Sequence, residues 1–167
     1  QIGGAPALTV DGRVIPMMSY QWRLGTKIDS NPEHNSKWMV ENMAKAGVEL
    51  FFTEFNINDP ERFDEYYQVF MTEMEIVLNA RPDALVMPWI IIKPYAAFYE
   101  KYPDEVIHFE DGTTRHWNSA RITRLPGDDY PRWSFASKAW ETEVEDMLRK
   151  FIRRLLEGPY AKNIIGY

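Results

Sequence analysis

The residues best equipped for chemistry in this sequence are polar and aromatic groups where apolar runs end. Val48 to Phe55 is one such run, and it closes on Glu54, Phe55 and Asn56. A carboxylate and an amide in that place can exchange hydrogen bonds with a hydroxyl-rich ligand. A carboxylate there can equally pair with a nearby Lys or Arg, and Asn56 can equally serve a turn. Tyr20, Gln21 and Trp22 close an earlier run, and Lys93 and Tyr95 close a later one. In α/β folds the carboxyl ends of the strands are where binding and catalytic groups collect. Trp117 and Trp133 offer flat apolar faces for stacking, or a local cluster that pins their own segment.

Other chemistries find less support. There is no phosphate-binding loop, dinucleotide fingerprint or nucleophile elbow. With no cysteine, disulfides, thiolate metal sites and a cysteine nucleophile are excluded. His108 and His116 lack the carboxylate spacing of a metal site. Asp128 and Asp129 are two adjacent acids, too few for a calcium loop. Glu141, Glu143, Glu145 and Asp146 fall in the first turns of an expected helix, where they favour the macrodipole and are expected to face solvent. Glu54 with Asp104 or Glu110 as a catalytic pair would need carboxyl groups about 5 Å apart, and the spacing gives no reason for it.

Composition is that of a globular protein with a real core: 45% hydrophobic and 26% charged residues in a chain of 167. A net charge of −6 argues against nucleic acid as the main partner. No run is long enough to span a membrane as a helix. The chain starts at Gln1 rather than Met, which points to a processed or trimmed N-terminus and leaves export to a periplasmic or extracellular space open. Six Trp and nine Tyr are many, and fit either a well-filled core or a surface that stacks flat ligands.

The elements that must position these groups follow from pattern. Residues 1–15 read as a hairpin turning on Asp11-Gly12, since Asp-Gly between apolar arms favours a two-residue turn. A short strand spans Pro16 to Gln21. A helix spans Lys37 to Ala46, with Trp38, Met39, Val40 and Met43 available for its inner face and Gly47 as its stop. The strand Val48 to Phe55 follows. Asp59-Pro60 starts a second helix, to about Asn79, with Phe63, Tyr67, Phe70, Met71, Met74, Val77 and Leu78 at three-to-four spacing along one face. Leu85 to Tyr95 is the central strand. It carries Ile90-Ile91-Ile92, is apolar enough to be buried on both faces, and has Pro88 as an irregularity near its middle. Residues 93–136 form a long aromatic-rich connection with a small hairpin on Asp111-Gly112. Ser134 or Ser137 caps a last helix running to Leu156. Asn163 to Tyr167 reads as a strand beginning.

This alternation gives a parallel α/β sheet with helical crossovers. About four parallel strands and three helices are half of a (β/α)8 TIM barrel, which usually needs about 250 residues. The expectation is therefore one domain over residues 1–167, the N-terminal half of such a barrel preceded by a β-hairpin.

Several strings carry a resemblance. Gly4 to Arg13, followed by Pro16 and Ser19-Tyr20, is similar to the entry of clan A barrel glycoside hydrolases, the family 42 β-galactosidase-like enzymes in particular. Met43 to Val48 resembles their first helix-to-strand junction. Tyr99 to Asp104 and Glu110-Asp111-Gly112 resemble the loop after their third strand. Ser134 to Ser137 with Trp140 resembles the start of their third helix, and Ile164 to Tyr167 their fourth strand. The resemblance implies a retaining glycosidase acting on β-linked sugars. Its two catalytic glutamates would lie beyond Tyr167, in a missing C-terminal half of the barrel or a partner chain. No catalytic residue, metal or cofactor is then expected within this chain. Tyr20, Gln21, Trp22, Glu54, Asn56, Lys93, Tyr95, Trp117 and Trp133 would supply substrate contacts.

Two alternatives stand beside this one. A non-catalytic carbohydrate-binding half-barrel would use the aromatics without a carboxylate pair. A metal-dependent barrel hydrolase would more often show His-x-His where Tyr20-Gln21-Trp22 stands.

Overall fold

The computed structural model describes residues 7–16, 18–21, 35–92, 95–110 and 134–166. The hairpin expected at Asp11-Gly12 is present: β1 (Leu8–Val10) and β2 (Arg13–Ile15) pair antiparallel. Asp11 and Gly12 have φ of 50° and 76°, the paired positive values of a type I′ turn. The chain then builds a three-stranded parallel sheet in the order β3 (Ser19–Gln21), β4 (Leu50–Ile57), β5 (Leu85–Ile92). Beyond β5 the expected fourth strand is reduced to a single parallel bridge, Val86 to Ile164. Ala161–Asn163 ahead of it form a 3-10 turn, and the Asn163 amide donates to the carbonyls of Pro82 and Ala84.

The helices are placed by readable local signals. In α1 (Ser36–Lys45) the Asn35 side chain caps Trp38 N–H. It stops at Gly47, whose φ of 93° suits a residue without Cβ. There Val48 N–H bonds Met43 O and Gly47 N–H bonds Ala44 O, a Schellman ending. Asp59 caps a 3-10 turn at Pro60–Arg62 that opens into α2 (Phe63–Ala80). In α4 (Lys138–Leu156) Ser137 is the cap, accepting from Trp140 N–H at 3.0 Å.

One face of the sheet lies under these helices. Phe51, Phe55 and Ile57 of β4 meet Phe63, Phe70, Met74 and Val77 of α2 and Met147, Phe151 and Leu155 of α4. Phe55 stacks on Phe151 with ring centroids 3.8 Å apart, and Phe70 meets Phe55 edge-on at 6.0 Å. Among the described residues the opposite face is covered only at its amino-terminal end. There Ile15 of the hairpin, Leu50 and Leu85 form a second cluster, with Leu8, Val10, Phe52, Met87 and Ile165 around it. Glu49 pins this end by accepting from Arg13 Nη1 at 2.6 Å and Arg81 Nη2 at 2.9 Å.

Five expectations are corrected. The stretch 93–136 is not all loop, because α3 (Ala96–Lys101) forms within it and buries Phe98 against Trp140. Trp38 and Met43 are not on the inner face of α1. They are 37% and 36% exposed, and Val40 with Ser36 takes the buried stripe at i, i+4 spacing. β4 starts at Leu50 and continues to Ile57, so Glu54 and Asn56 stand inside the strand.

The fourth correction concerns Pro88, which does not interrupt β5. Leu85 N–H bonds Glu49 O, whereas Val86 O receives Ile165 N–H. Odd-numbered residues of β5 therefore turn their backbone groups toward β4 and even-numbered ones away. Pro88 belongs to the even set, so the donor it lacks is one that β4 does not use. Finally, β5 is buried on both faces only in its first half. Trp89, on the hairpin side beyond the Leu50–Leu85 layer, is 44% exposed, and Ile92, at the strand end on the helix side, is 39% exposed.

Candidate functional site

A cavity of about 260 Å³ opens in the carboxyl-terminal half of β4, lined by Glu54, Asn56, Arg62, Glu65, Tyr66 and Val69. Three elements build it. β4 brings Glu54 and Asn56, which are spaced by two and so share one side of the strand. The 3-10 turn brings Arg62 and the start of α2 brings Glu65, Tyr66 and Val69, which three-to-four spacing gathers on one flank. β3 ends at Gln21, opposite Phe52, and no described strand pairs with that edge of β4 above it.

The polar groups are held in place by one another. Asn56 Nδ2 donates to Glu54 Oε1 at 3.0 Å. Arg62 Nε donates to Glu65 Oε2 at 2.6 Å, and its guanidinium lies 5.3 Å from the centre of the Tyr66 ring. Burial pushes the Tyr66 phenol above its ordinary range, with Arg62 acting against it. Beneath, Glu73 of α2 is 2% exposed and accepts Glu54 N–H at 3.0 Å, fixing the backbone from which the Glu54 side chain springs. The result is a shallow site with two carboxylates, an amide, a guanidinium and one aromatic ring. It is smaller than the cavities of about 300–1,000 Å³ that hold drug-sized molecules, and suits one small polar ring.

The residues singled out from sequence separate here. Glu54 and Asn56 come together in the cavity. Tyr20 and Gln21 part company, because register settles their faces. Tyr20 pairs with Phe51 and turns to the helix side, its ring edge-on to Phe51 at 6.5 Å, where burial raises its phenol pKa. Gln21 pairs with Phe52 and shares the opposite face with Glu54.

Tyr95 belongs to another cluster. Its hydroxyl donates to Glu143 Oε2 at 3.2 Å, and Lys101 Nζ stands 3.5 Å from Glu143 Oε1. Burial and then Glu143 push the Tyr95 phenol up to about 12, and burial alone does the same for Tyr99. Glu143 therefore does not face solvent as its place in an acidic first turn suggested. Its side chain is 16% exposed and ties α4 to α3 through Tyr95 at its cap and Lys101 at its end. Trp22, Lys93, Trp117, Trp133, His116, Asp128 and Asp129 lie outside the described residues, as does the turn expected at Asp111-Gly112.

Sequence reasoning missed Arg62, Glu65, Tyr66, Val69 and Glu73. Glu73 left a signal, since it interrupts the apolar stripe between Phe70 and Val77. The other four read as the ordinary exposed side of a helix. Among the described residues no group of three His, Asp or Glu is placed to hold a metal ion. No described helix is long and apolar enough to cross a membrane. Comparison with protein-family models, curated proteins and solved structures returns no match for this chain.

Proposed function

We propose that this chain is the N-terminal half of a (β/α)8-barrel glycoside hydrolase, and that it supplies one wall of a pocket for β-linked sugars of the galactoside type. The observation that carries the reading is the cavity beside the carboxyl-terminal half of β4. Glu54 and Asn56 offer hydrogen-bond acceptors and a donor for sugar hydroxyls, and Tyr66 and Val69 offer apolar contact. The parallel order β3-β4-β5, with Ile164 in the place of a next strand, is consistent with barrel topology.

In this reading the chain positions substrate, and no catalytic residue is assigned within it. Retaining hydrolysis needs two carboxyl groups about 5 Å apart across the scissile bond. The Glu54–Asn56 pair would orient a hydroxyl near the reacting carbon. Such contacts raise turnover only as far as they strengthen in the transition state.

The test is ligand-observed NMR on the 167-residue protein with methyl β-D-galactopyranoside and methyl β-D-glucopyranoside, beside hydrolysis of an aryl β-galactoside. Millimolar binding without turnover is the expected result, weakened in Glu54→Gln. Absence of binding to either sugar would remove the reading. Turnover by this chain would overturn the assignment of catalysis elsewhere.

A further inference from the structure

Trp89 is unusual for its position. It lies in β5, and a strand at this place in a parallel α/β sheet is normally covered on both faces. Yet Trp89 is 44% exposed, while Leu85 and Val86 of the same strand are 8% and 0% exposed. The register pairs Trp89 with Glu54, so the indole and the carboxylate are direct neighbours on one face, with strands about 4.8 Å apart. Gln21 lies on that same face, opposite Phe52 and thus one diagonal step from Glu54. Below this layer the hairpin closes the face with Ile15, Leu50 and Leu85. The upper layer therefore has a closed floor, an open aromatic ring and two polar side chains.

A face meant only for packing would continue the apolar pattern of the floor. Here the pattern changes within one strand repeat from Leu50, Phe52 to Glu54, Asn56. An indole has a broad apolar face, and a flanking carboxylate and amide supply directional hydrogen bonds. A pyranose with axial hydrogens on one side and hydroxyls at its rim matches both.

We infer that Trp89 is a stacking platform for a sugar ring, with Glu54 and Gln21 bonding its rim hydroxyls, so that the sheet face and the cavity beside α2 form one site sharing Glu54. The inference rests on the carbohydrate reading above and adds to it a residue and a ring orientation. Trp89 acts by binding and has no part in bond cleavage.

The experiment uses the full chain labelled with 5-fluorotryptophan, the Trp89 resonance being assigned from Trp89→Phe. Methyl β-D-galactopyranoside and methyl β-D-glucopyranoside are titrated while 19F and ligand-observed spectra are recorded together. The expected result is binding that shifts the Trp89 resonance, falls about tenfold or more in Trp89→Ala, and is largely kept in Trp89→Phe. Binding that leaves the Trp89 resonance unmoved, or that survives Trp89→Ala, would overturn the platform while the carbohydrate reading stands. No binding of either sugar, with Trp89→Ala still folded by circular dichroism, would overturn both.

Discussion

The two faces of the parallel sheet are built from alternate residues of the same strands, and they have opposite characters. On the helix side, Phe51, Phe55 and Ile57 are fully buried, and the aromatic rings of α2 and α4 interlock with them. On the other side the hairpin seals Leu50 and Leu85, and above them stand Gln21, Glu54, Asn56 and Trp89. One face pins the fold through close packing, where even one lost methylene is felt. Among the described residues the other is packed at its floor, and above it Gln21 and Trp89 are exposed while Glu54 and Asn56 are half-buried. A strand can thus satisfy stability with one set of side chains and present chemistry with the next, because its side chains alternate with a period of two.

This contrast can be broken or sharpened by substitution. The largest effect is expected at Phe151→Ala, which removes the ring stacked on Phe55. It should cost about 3–5 kcal/mol in urea denaturation. A cost below about 1 kcal/mol would mean that the helix-side face is not the stabilising one. Next comes Ile15→Ala, in the hairpin itself, where about 2–3 kcal/mol is expected because the residue is 1% exposed but packs only a small cluster with Leu50 and Leu85. If it matched Phe151→Ala, the two faces would be equally structural.

Tyr95→Phe removes one hydrogen bond to Glu143 and should cost about 1 kcal/mol. It also bears on pH. The folded phenol titrates at about 12, above its ordinary 10.0. Its contribution is therefore fully present below about pH 10 and is lost as pH rises toward 12. An alkaline titration followed by near-ultraviolet circular dichroism should show a shallower loss in Tyr95→Phe than in the parent. Identical curves would remove Tyr95 as a source of that loss.

Smallest in stability is Glu54→Gln, which keeps shape on the open layer and should change folding by no more than about 0.5 kcal/mol. Its effect should appear in sugar binding instead. A large loss of stability would move Glu54 into the structural set.

Much of the framework was legible along the chain. Asp11-Gly12 announced its turn and Gly47 its helix end, Ser137 was one of two serines offered as a cap, and the stripe at three-to-four spacing in α2 held its buried face at Phe63, Tyr67, Phe70, Met74 and Val77 while Met71 and Leu78 lie at its margin. Each depends on neighbours within a few residues, where backbone sterics and helical period decide the outcome. Of the site, Glu54 and Asn56 were legible as polar residues closing an apolar run. Arg62, Glu65 and Tyr66 were not, because three-to-four spacing on an exposed helix flank looks alike whether it meets solvent or a strand edge. Trp38 misled for a related reason. Its apolar character suggested the inner face, but Ser36 and Val40 set the phase of α1 against its neighbours.

The sequence by itself determined that strands and helices alternate and where the turn at Asp11-Gly12 and the helix end at Gly47 fall, since those follow from local propensity and periodicity. Only the tertiary structure decided which partner each side chain meets. Register turned Tyr20 inward and Gln21 outward, the backbone parity of β5 made Pro88 harmless, and the reach of the hairpin left Trp89 open beside Glu54. Those outcomes depend on strand pairing between residues 31 and 35 positions apart, a long-range choice that no local pattern encodes.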